Sequence, residues 1–252
     1  MKTISIANRK GGVGKTSLSV NLSYELKFLG FKVVMMDLDC QCDLTKVYQP
    51  DTAGPNILDV LQKKCRIADA LIEVEENLYL IPGSRYISQY NFTGSEQALL
   101  RFTKYFEKKG FDFVILDHPP SLHDVALAGY VASDEVLLVC QAESFSVQDM
   151  DQLLEDLNVI KETFNHPELH VLGIAMNRID NRRKLTNTIL NKCRSVFRKN
   201  ILQNTISNDT AIPNSLHKNL PVRNLHWRSR TVSQFNNMAT ELLERMGVNN
   251  ES

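Results

Sequence analysis

Short runs of Val, Ile and Leu recur along the chain, separated by longer stretches in which apolar residues return every three or four positions. Runs of that kind are typical of strands covered on both faces, and the three-to-four spacing is that of helices with one buried side. The pattern predicts strands at residues 3–7, 32–37, 78–82, 112–117, 135–141, 171–177 and 201–206. Helices are predicted at 17–29, 56–62, 95–109, 147–164, 184–198 and 232–246. In the fourth helix, Met150, Leu153, Leu154, Leu157, Ile160 and Phe164 fall on one stripe that would pack on a sheet. With no Gly/Ser/Pro linker and no repeat, the alternation predicts an α/β fold: a mostly parallel twisted sheet flanked by helices, in a single domain over 1–252.

Composition adds what the pattern leaves open. At 252 residues and 43% hydrophobic, the chain can bury a sizeable core, which excludes a disordered protein. No apolar run approaches the roughly 20 residues needed to span a bilayer. Met1, Lys2, Thr3 and Ile4 lead straight into the first strand, leaving no room for a signal peptide, so a cytoplasmic location is expected. Cys40, Cys42, Cys65, Cys140 and Cys193 are scattered and odd in number, as free thiols would be. Cys40, Cys42 and Cys65 lack the spacing and histidine partners of a zinc site.

Net charge is zero, from 29 basic and 29 acidic residues, but the charges are segregated. Residues 176–230 carry 12 Lys or Arg against Asp180 and Asp209, an excess of +10 over 55 residues. Just before them, 143–168 holds seven acids against Lys161. Opposed acidic and basic surfaces are expected. A simple solvated basic face is the plainer reading of residues 176–230.

The densest chemistry lies at 9–17, Arg-Lys-Gly-Gly-Val-Gly-Lys-Thr-Ser, directly after a predicted strand and opening a helix. Glycines there let main-chain N–H groups turn toward phosphates, Lys15 can neutralise the outer phosphates, and the Thr16 hydroxyl is suited to Mg²⁺. The general phosphate-loop pattern asks for a glycine where Arg9 stands, and a second lysine, Lys10, follows it.

The stretch KGGVGKT at 10–16 resembles the deviant Walker A motif of the ParA/MinD/Soj group of P-loop NTPases, whose hallmark is that early lysine. DLDCQCDLT at 37–45 is similar to the group's second switch segment, and FDFVILDHPPS at 111–121 to its Walker B strand. SDEVLLVCQAESFSV at 133–147 and IPNSLHKNLPV at 212–222 extend the resemblance over nearly the whole chain, with ParA-type partition proteins nearest in pattern. It implies a slow ATPase using ATP and Mg²⁺. Gly11, Gly12, Val13, Gly14, Lys15, Thr16 and Ser17 would hold the phosphates, Thr16 and Asp117 the metal, and Asp39 the attacking water, acting on Mg²⁺ through water. Lys10 would reach the nucleotide of a second subunit, making a homodimer with ATP at its interface, and Asn177 would contact adenine.

The resemblance further implies non-specific DNA binding, assigned to Arg182, Arg183, Lys184, Lys218, Arg223, Arg228 and Arg230, and a ParB-like or other adaptor protein that stimulates hydrolysis. Association with the nucleoid would follow. Cys40, Cys42 and His118 depart from the group's usual residues, and Ala211 stands where many relatives carry an arginine implicated in DNA contact. His118 is expected to pack rather than catalyse, and Asp37 to cap a loop. Trp227 and Phe235 could stack on a base, but aromatic residues near a helix are more often core, and no function is assigned to them. No helix-turn-helix precedes the first strand, so sequence-specific repression is not expected. Two other readings stand beside partition: a MinD-like membrane-surface switch, which the acidic balance after Thr231 opposes, and a nucleotide-dependent adaptor for a non-DNA assembly.

Overall fold

The computed structural model describes residues 1–48, 54–122, 124–144 and 146–248. Its centre is a seven-stranded sheet in the order β3-β4-β2-β5-β1-β6-β7. The strands are β1 (Lys2–Ala7), β2 (Val33–Asp37), β3 (Ile72–Glu75), β4 (Leu78–Ile81), β5 (Phe113–Asp117), β6 (Glu135–Gln141) and β7 (His170–Asn177). All neighbours pair in parallel except β3 with β4. The parallel strands are almost entirely buried because helices cover both faces, which explains their near-continuous apolar runs.

One face packs on α1 (Lys15–Phe28), α2 (Asp43–Tyr48) and α11 (Arg230–Met246) through Ile4, Ile6, Met35, Ile115 and Val139. Lying between sheet and α11, α1 is buried round most of its circumference, and its polar residues need partners. The Asn21 side-chain oxygen accepts the Val222 N–H at 2.8 Å, and Glu25 accepts from Arg223, at the start of α10 (Val222–Leu225).

The opposite face divides into two apolar clusters. One gathers Met36, Val114 and Leu116 with α3 (Ile57–Leu61), α4 (Ile67–Ala70) and α5 (Leu100–Lys108). The other gathers Leu138 and Ile174 with α7 (Ser146–Thr163) and α8 (Lys184–Phe197). Residues of α6 (Asp124–Val131) enter both. A polar seam runs between them: Ser5 Oγ lies 2.7 Å from both His118 Nε2 and Ser133 Oγ, and the His118 ring stacks on Tyr130 at 4.5 Å. Burial pulls the pKa of His118 down to about 3, so the ring is neutral.

Two sequence expectations need correction. Residues 201–206 are not a strand of the sheet. They touch β7 at an isolated Ile174–Ile201 bridge and again through the Ile206 N–H to Met176 carbonyl bond of 2.9 Å. Between these points Glu241 of α11 accepts the Gln203 and Asn204 N–H groups at 2.9 and 3.0 Å, drawing the segment off the strand edge. The unpredicted strand is β3, a short antiparallel edge whose register breaks between Glu73 and Glu75. The predicted stripe on α7 is in place: Met150, Leu153, Leu157 and Ile160 are buried.

Candidate nucleotide site and basic surface

Strands β1, β2 and β5 end side by side, and the loop at 8–14 runs from β1 over their tips into α1. Gly12 and Gly14 have φ of +76° and +94°, in the left-handed region that side chains resist. At Gly14 a Cβ would also come within 2.3 Å of Asn177 Nδ2. The loop therefore keeps its glycines for two separate reasons, backbone conformation and close approach.

The two lysines of the loop point apart. Lys15 is 7% exposed, and its ammonium donates to the Lys10 carbonyl at 3.3 Å, inside the loop. Burial lowers its pKa, while Asp117 and Asp39 pull it back up. Lys10 has a side chain 52% exposed and is ion-paired to Glu143 beyond β6, which holds its amine above the usual lysine value. Arg9 pairs in the same direction, with Asp156 on α7 at 3.0 Å.

Asp117 closes β5 and is fully buried. Thr16 Oγ1 and Ser19 Oγ donate to its two oxygens at 2.7 and 2.8 Å. Asp37 is its register partner on β2. Burial first, and the neighbouring Asp37 second, push Asp117 up to about 7, and burial pushes Asp37 up to about 6. Asp37 is itself held by the Thr45 N–H and hydroxyl at 2.9 and 2.6 Å, and accepts the Asp39 N–H at 3.1 Å. Two carboxylates buried together call for positive charge. Hydroxyl and carboxylate oxygens are hard donors that fit Mg²⁺ better than a soft metal. Among the described residues no group of three or more His, Cys, Asp or Glu is spaced to hold a metal, so such an ion would depend on phosphate and water oxygens as well.

In front of these residues opens a cleft of about 610 Å³, lined by Gly11, Gly12, Gly14, Lys15, Thr16, Ser17 and Asp39 and faced by His217 and Asn219. Val13 is buried beneath it, so its part in the loop is main-chain only. A second hollow of about 380 Å³ adjoins the cleft at Ser17, Arg178 and Leu216, and is lined further by Asn177, Ser207, Asp209 and Pro213. Asn177 lies on this hollow, but its Nδ2 donates to the Val13 carbonyl at 2.8 Å and its Oδ1 accepts the Arg178 N–H at 2.9 Å. Asn177, the expected base contact, thus lines the hollow while its amide also braces the loop.

Arg178 is the residue that sequence reading missed. It adopts φ +54°, donates from Nη1 to the Gly12 carbonyl at 2.8 Å, and lines both cavities. Glu143 and Ser19 were missed as well. Ser19 sits one helical turn after Lys15, a spacing that offered a signal; nothing in the sequence announces the Arg178 backbone.

The seven basic residues expected on a nucleic-acid surface do not behave alike. Arg223 forks onto Glu25, whose side chain is only 3% exposed, and lies over the Phe28 ring at 3.9 Å; this corrects its assignment to the surface. Arg182 and Arg183 are exposed and pair with Asp180 at 2.9 and 3.5 Å, and Arg230 pairs with Asp209 at 3.3 Å. Lys184 and Lys218 are exposed. Arg228 lies over the Trp227 ring at 4.4 Å. Trp227 is also displaced from expectation, being 66% exposed, while Phe235 is buried. Ala211 is buried at the start of α9 (Ala211–His217). No described helix is long and apolar enough to cross a membrane.

A family model described as an AAA domain matches residues 1–171. An uncharacterized protein of Methanocaldococcus jannaschii is 31% identical over 210 residues, covering 78% of this chain and 81% of that one. The sporulation initiation inhibitor protein Soj of Bacillus subtilis is 27% identical over 248 residues, covering 96% and 98%. Among solved structures, the septum site-determining protein MinD of Pyrococcus horikoshii, complexed with Mg-ADP, superposes with a TM-score of 0.80 at 24% identity, covering 98% of this chain and 97% of that one. The glycine loop with its outward first lysine, the buried carboxylate pair at the strand tips and these matches agree: the chain belongs to the ParA/MinD family of deviant Walker A P-loop ATPases.

Proposed function

We propose that the chain is an ATP-driven switch that closes into a homodimer around its nucleotides, binds DNA without sequence preference in that state, and partitions or positions a cargo with the help of a partner protein. The observation that carries this reading is the divergence of the two lysines. Lys15 serves the loop that it belongs to. The Lys10 side chain turns away from the loop to Glu143, which supports a role toward the nucleotide of a second copy.

In each subunit Lys15 and the N–H groups of 11–17 would bind the ATP phosphates, with Ser17 leading toward the hollow suited to the nucleoside. Thr16 and Asp117 are the protein ligands available to Mg²⁺, which, when bound, neutralises charge on the phosphates. Asp39 lines the cleft and is suited to orient the attacking water. Phosphoryl transfer demands positioning and charge neutralisation more than covalent chemistry, and these residues supply both. Arg178, the one arginine lining the cleft among the described residues, is engaged with the Gly12 carbonyl, which supports slow basal turnover and stimulation by a partner.

Arg182, Arg183, Lys184, Lys218 and Arg228 support the nucleic-acid part of the reading, since backbone neutralisation needs clustered exposed cations and no base-reading element. The membrane-surface reading is weaker. The apolar face of α11, with Val232, Phe235, Met238 and Leu242, is buried in the core rather than presented to a bilayer.

Sedimentation of Lys10→Ala with a non-hydrolysable ATP analogue tests the proposal. The expected outcome is a monomer that still binds nucleotide; a normal dimer would remove the reason for the outward lysine. Retention of duplex DNA by the wild type should need ATP and fall with salt, with a log-log slope of about −0.9 per phosphate neutralised.

A further inference from the structure

The exposed indole is not an isolated feature. Trp227 and Arg228 border a hollow of about 430 Å³ that also takes in Asp209, Asn214, His226 and Ser229. The Arg228 guanidinium lies over the ring, yet the indole remains 66% exposed. Arg228 makes no ion pair among the described residues, whereas Arg230 is held by Asp209 at 3.3 Å, so the acid of the hollow already has its partner. Ser229 caps α11, a helix of 17 residues, directing its positive end at the same place. His226 Nε2, in the hollow wall, is buried without a hydrogen-bond partner among the described residues.

An aromatic face, a stacked guanidinium and a helix N-terminus together match a nucleotide unit, with its flat base and flanking phosphates. In a duplex the base faces are covered by their neighbours, so an indole can stack only where a base is unpaired. We propose that Trp227 and Arg228 form a stacking site for an unpaired base of single-stranded DNA, with the adjoining phosphates held by Arg228 and the start of α11. The site rests on the nucleic-acid reading above and adds to it a preference that phosphate contacts alone would not give.

The protein carries its own probe, because Trp227 is its only tryptophan. The full chain with Mg²⁺ and a non-hydrolysable ATP analogue is titrated with oligothymidylate and, separately, with a hairpin of equal phosphate count whose paired strands are joined by a non-nucleotide linker, so that no base is unpaired. Oligothymidylate should quench the tryptophan emission saturably, and the hairpin should quench it much less. By anisotropy of labelled strands, Trp227→Ala should weaken single-strand binding at least about fivefold and hairpin binding little, and Trp227→Phe should restore most of the loss. Binding of both nucleic acids without quenching, or equal weakening of both in Trp227→Ala, overturns the stacking site and leaves the DNA reading intact. That pattern would point instead to a protein contact at the patch. No retention of either nucleic acid overturns the DNA reading and this site together.

Discussion

The tips of β1, β2 and β5 and the segment 176–230 both concentrate charge, and they hold it in opposite ways. At the strand tips Lys15, Asp37 and Asp117 are buried and each has a named partner: the Lys10 carbonyl, Thr45, and Thr16 with Ser19. In the basic segment most cations are in solvent and paired loosely or not at all. Burying a charge is costly unless it is paired, so a buried charge reveals a definite task, whereas an exposed one is compatible with several. Arg223 shows that position in the sequence does not decide which kind a residue is. It belongs to the basic segment by number, yet its side chain is only 21% exposed and is committed to the buried Glu25 on α1.

The comparison is sharpest at Arg223 itself. Arg223→Ala leaves the Glu25 carboxylate buried with only the Asn236 amide at 3.2 Å, and the expected cost is about 3 kcal/mol, the range for breaking a buried pair. Denaturant unfolding measures it, and DNA retention per folded molecule should not change. A stable variant with poor DNA retention would return Arg223 to the surface. At the strand tips, Lys15→Ala should lower ATP affinity by about 100-fold or more, as removal of one buried charge partner does elsewhere. Titration with a fluorescent nucleotide decides it. Asp39→Ala should spare ATP affinity and lower turnover by about 100-fold, because a group that positions water acts on the transition state. A matched loss of affinity and turnover would make Asp39 a binding residue instead.

Changing Arg182, Arg183 and Lys184 together to Glu sharpens the other side of the comparison. Fold and ATP turnover should persist while DNA retention drops by roughly tenfold or more at every sequence tested and the salt slope becomes shallower by up to about three contacts. Unaltered retention would mean that the tract is a solvated face.

The same division governs how much the sequence discloses. The loop 10–16, Thr16, Asp117 and the strand tips are legible because local chemistry dictates them: glycines at positive φ, a lysine entering a helix, and a carboxylate ending an apolar strand. Residues 201–206 misled because their apolar content suits a strand, while the deciding group, Glu241, lies far along the chain on α11. Arg178 was hidden by a backbone conformation that no residue type signals, and Arg223 by a partner 198 positions away. Trp227 misled in the reverse direction, since aromatic character favours burial and only the local geometry turns it outward.

The smallest effect is the most exposed one. Arg182 has a side chain 89% exposed and forks onto Asp180 at 2.9 and 3.1 Å. The Arg182 hydrogen bonds hold Asp180 down at about 2, against an ordinary value of 3.8. A depressed carboxylate contributes stability that is present above the unfolded value and lost as pH falls through the folded one. The pair's contribution should therefore fade between about pH 4 and pH 2. Because water and salt reach the arginine, that contribution is small. Arg182→Ala should consequently lower stability only slightly at neutral pH and match the wild type below about pH 2, where Asp180 is protonated and the pair contributes nothing. In DNA binding the fork must exchange Asp180 for a phosphate, so the variant should lower the log-log salt slope by about one contact, roughly 0.9. A destabilisation at neutral pH comparable to that of Arg223→Ala would show that exposure does not separate the two kinds of charge in this protein.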